Sequence, residues 1–478
     1  MTTYSHYQQA VFQFVQQGEG NAIVEAVAGS GKTTTLVQAV QLAQGSSVFL
    51  AFNKSIATEL KSRGVNARTF HSLCYSPVLK AVGAHEVDTN KLKRICNQNL
   101  SAHKNHVYSA FIIKLVGLAR QVGIGCLVPN IEAAWLSIIT NHNLEPDNEL
   151  AELGEAVTLA SQLLTWSNET GACDFDDLLY LSVKHGVRLP QFDYVFVDEA
   201  QDTNAIQRAI LRKIMKPTSR LIAVGDPAQA IYGFRGADSD SLNLIASEFN
   251  CIRLPLSITY RCPTKVVKHA QQWVQHLEAA DGAAEGEVTT LQAWNEVGFN
   301  YGDLIVCRTT KPLVKLAFRL ITNRIPATVM GREIGQGLKG LIIKMKANDL
   351  EQLEANLENY LARETQKAIA KMDDSKAEAV RDRVECITTL IEMLPEDNRT
   401  IGGLYNVIDE IFTDNGNAVT LATIHKSKGL EADRVFWLEY EQCPPRWVKG
   451  GWQLQQEYNL CYVATTRAKK SLYLLPAI

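Results

Sequence analysis

Two short strings fix most of what this chain can fold into. Ala26–Thr33 reads AVAGSGKT, and Val195–Asp202, far downstream, reads VFVDEAQD; both lie at the ends of short apolar, strand-like runs. A loop of small residues lets successive backbone N–H groups point at phosphate oxygens, and the helix start behind it adds its positive dipole end. In such a loop Ala28, Gly29, Ser30, Gly31 and Thr34 form the cradle, Lys32 reaches the terminal phosphates and the Thr33 hydroxyl holds magnesium. Asp198, directly after Tyr194–Val197, completes the metal shell, and Glu199 polarises an attacking water. The strict loop pattern starts with Gly where this chain has Ala26, so the loop read alone competes with a chance Gly-rich turn. Together the two strings predict a site for ATP and Mg2+ and a chain that hydrolyses the nucleotide.

Such a site needs strands that deliver both strings to one edge. Strand patterns fall at Asn21–Ala28, Ser47–Phe52, Asp193–Val197 and Arg220–Val224, with helical patterns over Thr33–Gln44 and from Lys54. This alternation predicts an α/β fold with a parallel sheet covered on both faces. From Glu86 to Thr170 helical periodicity takes over, for instance at Phe111–Val122 and Ile131–Ile139. Strand patterns return at Asp303–Cys307, Val419–Thr423, Arg434–Leu438 and Ser471–Leu475, interrupted by a Glu/Lys/Ala/Leu-rich segment over Asp349–Leu394. The charges of that segment read as a solvated helix face. In CDFDDLL (Cys173–Leu179), Asp174 reads as a helix cap and the remaining aspartates as solvent-facing, with no metal site expected.

At 478 residues the chain is too long for a single core. Its net charge of −3 argues against a protein coated in positive charge, yet a local groove for nucleic acid needs only a few Lys and Arg. Ten cysteines without a C-x-x-C pair read as reduced, mostly buried thiols in the cytoplasm. Neither a signal peptide nor a membrane-spanning run is apparent, so a soluble protein with no membrane partner is expected.

Further strings follow in order: SHYQQAV (Ser5–Val11), FNKSIATEL (Phe52–Leu60), TFHSL (Thr69–Leu73), GDPAQAIYGFRGAD (Gly225–Asp238), TYRCP (Thr259–Pro263), ATIHKSKGLE (Ala422–Glu431) and YNLCYVATTRAKK (Tyr458–Lys470). In this order, over nearly the whole chain, they resemble superfamily-one helicases of the UvrD/Rep type. FNKS, TFHS and the YNL before CYVATTRAKK are most similar to the F-box DNA helicase branch. A compact version is expected, with no F-box-like stretch ahead of the motor and no nuclease domain behind it. The resemblance implies two RecA-like parallel-sheet motor domains, each with a mainly helical insertion. Residues 1–85 and 171–252 would form the first and 86–170 its insertion; 253–335 and 416–478 would form the second and 336–415 a reduced insertion. Two departures stand out: the short second insertion, which bears on strand separation, and Tyr458 and Asn459 where paired arginines are common.

The resemblance also distributes roles. Gln8 would read the adenine edge, the alternative being an ordinary exposed glutamine. Gln229 would sense the γ-phosphate. Arg261 and Arg467 would act as arginine fingers, a role typically worth ~10³–10⁵ in rate, the alternative being surface ion pairs. Glu431 would reach the nucleotide sugar, or else end a helix. For the DNA track it implies Phe234 and Tyr232 as stacking platforms, then Phe70, His71, Phe52, Asn53, Lys54, Tyr260, His425 and Lys428; for Phe52 and Phe70 a core position is the competing reading. Stacking at ~1–3 kcal/mol per base competes with a duplex step of ~1.4 kcal/mol. The expected activity is ATP-dependent translocation on single-stranded DNA with 3′-to-5′ unwinding at single-strand/duplex junctions, by a monomer. Displacement of recombinase or a single-strand-binding protein, with weak unwinding, is the alternative.

Overall fold

The computed structural model describes residues 4–477, apart from 52, 143, 145, 147, 149, 232–239, 371–373, 414–415 and 449. The chain divides into two units, Met1–Ser257 and Ile258–Ile478. Each is built on a six-stranded sheet whose strand pairs are parallel.

In the first unit the strands are β1 (Asn21–Ala26), β2 (Ser47–Leu50), β3 (Ala67–Arg68), β4 (Phe192–Val197), β5 (Met215–Gly225) and β6 (Cys251–Leu256), in spatial order β3-β2-β4-β5-β1-β6. Successive side chains of a strand point to opposite faces. Ile23 accordingly enters one core with Val195 and Val197, while Ala22 and Val24 enter another with Phe196 and Ile222. The stretch of a strand that is covered on both faces is apolar on both, which is why Ala22–Val24, Val195–Val197 and Leu221–Val224 are continuous apolar runs. β5 lies between β1 and β4, so the turn after Gly225 falls between the two nucleotide strings.

The second unit holds a short parallel pair, β7 (Ile258–Thr259) with β8 (Glu278–Ala279), and a sheet of β9 (Glu287–Thr290), β10 (Leu304–Cys307), β11 (Ala327–Val329), β12 (Val419–Thr423), β13 (Ala432–Leu438) and β14 (Ala468–Leu475), ordered β11-β12-β10-β13-β14-β9. The two units are thus RecA-like α/β bodies with parallel sheets.

Both units carry helical stretches between strands. In the first, helices Lys91–Asn99, Ala102–Val122, Glu132–Asn141 and Leu153–Glu169 precede helix Phe175–Lys184. Asp174 caps that last helix as expected, accepting from the Asp177 N–H at 2.9 Å. Asp177, expected to face solvent, is instead fully buried: Lys91 Nζ donates to it at 2.6 Å and the Arg120 guanidinium lies 3.0 Å away. Arg120 also binds Asp174 at 2.8 Å and donates to Ser167 Oγ at 2.6 Å, so one ionic cluster ties four helices together. The helix spacing accounts for it: Asp177 lies four residues before the buried Leu181 and so shares its inward face.

In the second unit, helices Arg332–Met345, Leu350–Ala370, Asp374–Met393 and Ile401–Phe412 stand between β11 and β12. Their charges are not all solvated, contrary to the sequence expectation. Asp382 accepts from the N–H groups of Thr310 and Lys311 at 3.0 and 2.8 Å, capping helix Lys311–Thr322, and Glu385 binds Lys311 at 2.8 Å. A helix start lacking its own side-chain cap leaves donors to satisfy, and the neighbouring helix supplies the acceptor. All ten cysteines are free thiols, and only Cys126 and Cys251 are not buried. Among the described residues no helix is long and apolar enough to cross a membrane.

Breaking a buried ion cluster by removing one partner leaves an uncompensated charge. Lys91→Met should therefore lower the unfolding free energy by about 3 kcal/mol, towards the lower end of the usual range because Arg120 still faces Asp177. Urea titration followed by circular dichroism measures it.

Candidate nucleotide site

The phosphate loop leaves β1 and turns through Gly29 (φ 72°) and Gly31 (φ 76°) into helix Lys32–Leu42. Both glycines occupy the left-handed region where a Cβ is disfavoured, which explains the residue type at these two positions. Gly31 at the N-cap makes no side-chain hydrogen bond to the helix start. Among the described residues the buried Ser30 Oγ has no hydrogen-bond partner. An orphaned buried hydroxyl beside such a helix start is the environment an anionic ligand completes, and the residues present fit a nucleotide phosphate.

Lys32, Thr33, Asp198, Glu199 and Gln229 fall at the C-terminal ends of β1, β4 and β5, the edge where open parallel sheets place ligands. Thr33 Oγ1 donates to Asp198 Oδ2 at 3.1 Å, and Lys32 Nζ lies 3.8 Å from Glu199 Oε1. Glu199 adopts a left-handed backbone (φ 51°) at the turn after β4, strain on the order of 1 kcal/mol of the kind that functional turns hold. Gln229 donates to Asp226 Oδ2 at 2.6 Å, in the turn after β5. Gln8 is buried, not exposed: its Nε2 donates to Thr35 Oγ1 at 2.9 Å and its Oε1 accepts from the Ser5 N–H, closing a capping box beside the phosphate loop. Ala28 is buried and Thr34 is exposed.

Three carboxylates crowd a single lysine here. Burial, and then the neighbouring Glu199 carboxylate, push the Asp198 carboxyl up to about 6, against the opposing pull of Lys32. Burial likewise raises Asp226, again opposed by Lys32. A divalent cation would supply the missing positive charge, held by Thr33 and Asp198. Asp226 was missed by sequence reasoning as a charged member of the site; its place after a strand end in GDPAQ was the available signal.

In the second unit Arg261, Glu431 and Arg467 meet around Thr466. Arg261 Nε donates to Glu431 Oε2 at 2.7 Å and its guanidinium donates to the Thr466 carbonyl at 3.2 Å. Arg467 is buried and is held by main-chain carbonyls, Val463 at 3.0 Å and Leu430 at 3.1 Å. Glu431 lies between the Gly429 turn and β13 and ends no helix.

Of the expected track residues, Phe52, Tyr232 and Phe234 lie outside the described residues. Phe70 belongs to the hydrophobic core and is 7% exposed, so its competing core reading is the one observed and no ring face is left for a base. His71 beside it is half-buried, which lowers its pKa. Asn53 caps helix Lys54–Ser62 by accepting from the Ile56 N–H at 2.9 Å, and Lys54 is exposed. Tyr260 is half-exposed; His425 and Lys428 are partly buried near β12.

With a glycine-rich loop at the end of a parallel-sheet strand in place, the class is that of a P-loop α/β protein. A family profile described as the UvrD/REP helicase N-terminal domain matches residues 7–250, and one described as the UvrD-like helicase C-terminal domain matches 343–477. The chain belongs to the UvrD/REP helicase family. It is 24% identical to F-box DNA helicase protein 1 of Schizosaccharomyces pombe, over 94% of this chain and 55% of that protein. It is 26% identical to F-box DNA helicase 1 of Gallus gallus (98% of this chain, 48% of that one) and 23% identical to the ATP-dependent DNA helicase PcrA of Staphylococcus epidermidis (97% and 82%). The chain thus spans about half the length of the F-box relatives.

An ionised Asp198 is unfavourable in the nucleotide-free protein. Because its folded pKa is raised, the stability it contributes is present at low pH and lost as pH rises from the usual carboxylate range through about 6. Asp198→Asn, a neutral isostere beside Glu199, Lys32 and Asp226, should therefore raise the unfolding free energy at pH 7.5, on the order of 2 kcal/mol. The gain should shrink at pH 5; thermal melts of both proteins at the two pH values measure it.

Proposed function

We propose that this protein is an ATP-driven translocase on single-stranded DNA that separates duplex with 3′-to-5′ polarity, acting at single-strand/duplex junctions in DNA repair, recombination or replication. The observation that carries the reading is the convergence of Lys32, Thr33, Asp198 and Glu199 on one sheet edge in a chain of this family. Lys32 and the loop N–H groups hold the phosphates, Thr33 and Asp198 hold magnesium, and Glu199 takes up the proton of the attacking water. Magnesium supplies charge neutralisation at the phosphates. Gln8 and Glu431 bind the nucleoside, Gln229 senses the γ-phosphate, and Arg261 and Arg467 supply positive charge as the phosphoryl group leaves. Asn53, Lys54, His71, Tyr232, Phe234, Tyr260, His425 and Lys428 contact the strand, with Phe52 beside them. The protein acts as a cytoplasmic monomer.

Alignment with two F-box DNA helicases over nearly the whole chain favours one second reading, in which the same motor mainly strips recombinase or other proteins from single strands. Unwinding and protein displacement on one substrate separate the two.

Duplexes with matched 3′ and 5′ tails, with ATP hydrolysis followed alongside, test the function: only the 3′-tailed substrate should open. Equal opening of both would remove the polarity, and hydrolysis indifferent to DNA would remove the motor. Lys32→Ala should abolish turnover, whereas Glu199→Gln should bind ATP without hydrolysing it; full activity in either overturns the site. Phe234→Ala should reduce unwinding more than DNA-free ATPase, and equal losses would remove it from the track.

A further inference from the structure

Gln201 lies within VDEAQD, yet nothing in the reading above gives it work. It is 2% exposed, in the one-turn helix Ala200–Asp202 that follows Glu199. Its carboxamide is used at both ends. Nε2 donates to Glu199 Oε2 at 2.5 Å, and Oε1 accepts from the Asp226 N–H at 3.0 Å. The orientation of this amide is fixed by chemistry: a backbone N–H can only donate and an ionised carboxylate can only accept, so oxygen must face Asp226 and nitrogen Glu199. The strand beside it makes room. A Cβ on Gly225 would stand 2.5 Å from Gln201 Oε1 and 3.0 Å from the Gln201 nitrogen, so only glycine at the end of β5 allows the approach.

We infer that Gln201 is a positioning residue: it holds the Glu199 carboxylate in its productive direction and ties it to the Asp226–Gln229 turn. Glu199 needs such a brace. Its backbone is left-handed and its other oxygen is 3.8 Å from Lys32, beyond direct hydrogen-bond distance. Because Gln229 donates to Asp226 in the same turn, the carboxamide links the group acting on water to the turn carrying the proposed γ-phosphate sensor. Gln201 touches neither nucleotide nor water in this scheme and acts only through Glu199.

The inference rests on the role proposed for Glu199, and the experiment keeps the two apart. Steady-state ATPase of the full chain is measured at saturating single-stranded oligonucleotide for Gln201→Met, which keeps length and volume but removes both hydrogen bonds. The kcat should fall on the order of tenfold to a hundredfold, as small displacements of a reacting group do, with KM for ATP changed less than about threefold because Lys32 and the loop are untouched. Gly225→Ala, which displaces the carboxamide from outside the site, should act in the same direction and serves if Gln201→Met fails to fold. In a Glu199→Gln background, Gln201→Met should cost no more than about twofold further, since the group it positions is gone. A wild-type kcat, a raised KM with kcat kept, or losses that simply multiply would each overturn the positioning role. If Glu199→Gln itself turned over at the wild-type rate, the assignment of Glu199 would fall first.

Discussion

Asp198, Glu199 and Asp226 are held around one ammonium group at the ends of three adjacent strands, and the architecture of the first unit serves this concentration of negative charge. Burial in a partly dry pocket, with the Glu199 carboxylate close by, pushes the Asp198 and Asp226 carboxyls up towards their neutral forms. The sheet enforces the arrangement because β5 lies between β1 and β4 and all three point the same way. A parallel sheet covered on both faces is stiff, and only a stiff frame holds groups together that repel one another. A cation placed in such a pocket would relieve an existing electrostatic tension.

The second unit treats its charges differently. Arg467 is anchored by carbonyl oxygens and Arg261 by a carboxylate, so both guanidinium groups are pre-oriented with few rotamers left to lose. Elsewhere in this unit Arg308 binds Glu457 through two nitrogens, joining the end of β10 to helix Gly451–Thr465. The helix that delivers Arg467 is therefore pinned at its middle as well as at its end.

The legibility of the fold in the sequence follows the position of each strand. The eight strands read from the sequence, around Ile23, Val48, Val195, Leu221, Ile305, Leu421, Val435 and Leu472, are the interior strands of the two sheets. In the six-stranded sheets the ones left unread, β3, β6, β9 and β11, are the four edges, and the separate short pair β7 and β8 was unread as well. An interior strand carries an apolar run where it is covered on both faces, as in LIAV of β5 and LYLL of β14; an edge strand is short, charged or broken by proline, as in CIRLPL. The site was legible where strand and loop chemistry coincide, at Lys32, Thr33, Asp198 and Glu199. The burial of Asp177, Gln8 and Phe70 was not, because sequence spacing says which face a residue occupies but not what another helix or loop lays over it. Asp382 illustrates the same gap, a charge on an ordinary-looking helical segment that completes the start of a helix some seventy positions earlier in the chain.

That last contact has a practical corollary. Engineers seeking a minimal motor would be tempted to excise the helices between β11 and β12 and splice the ends with a short linker. Doing so would strip helix Lys311–Thr322, which packs on the sheet, of the carboxylate that accepts from the N–H groups of Thr310 and Lys311, and a side chain grafted at position 310 could not stand in for it, because an N-cap side chain accepts from amides two or three residues further on. The segment is scaffolding shared with the sheet, not a detachable accessory.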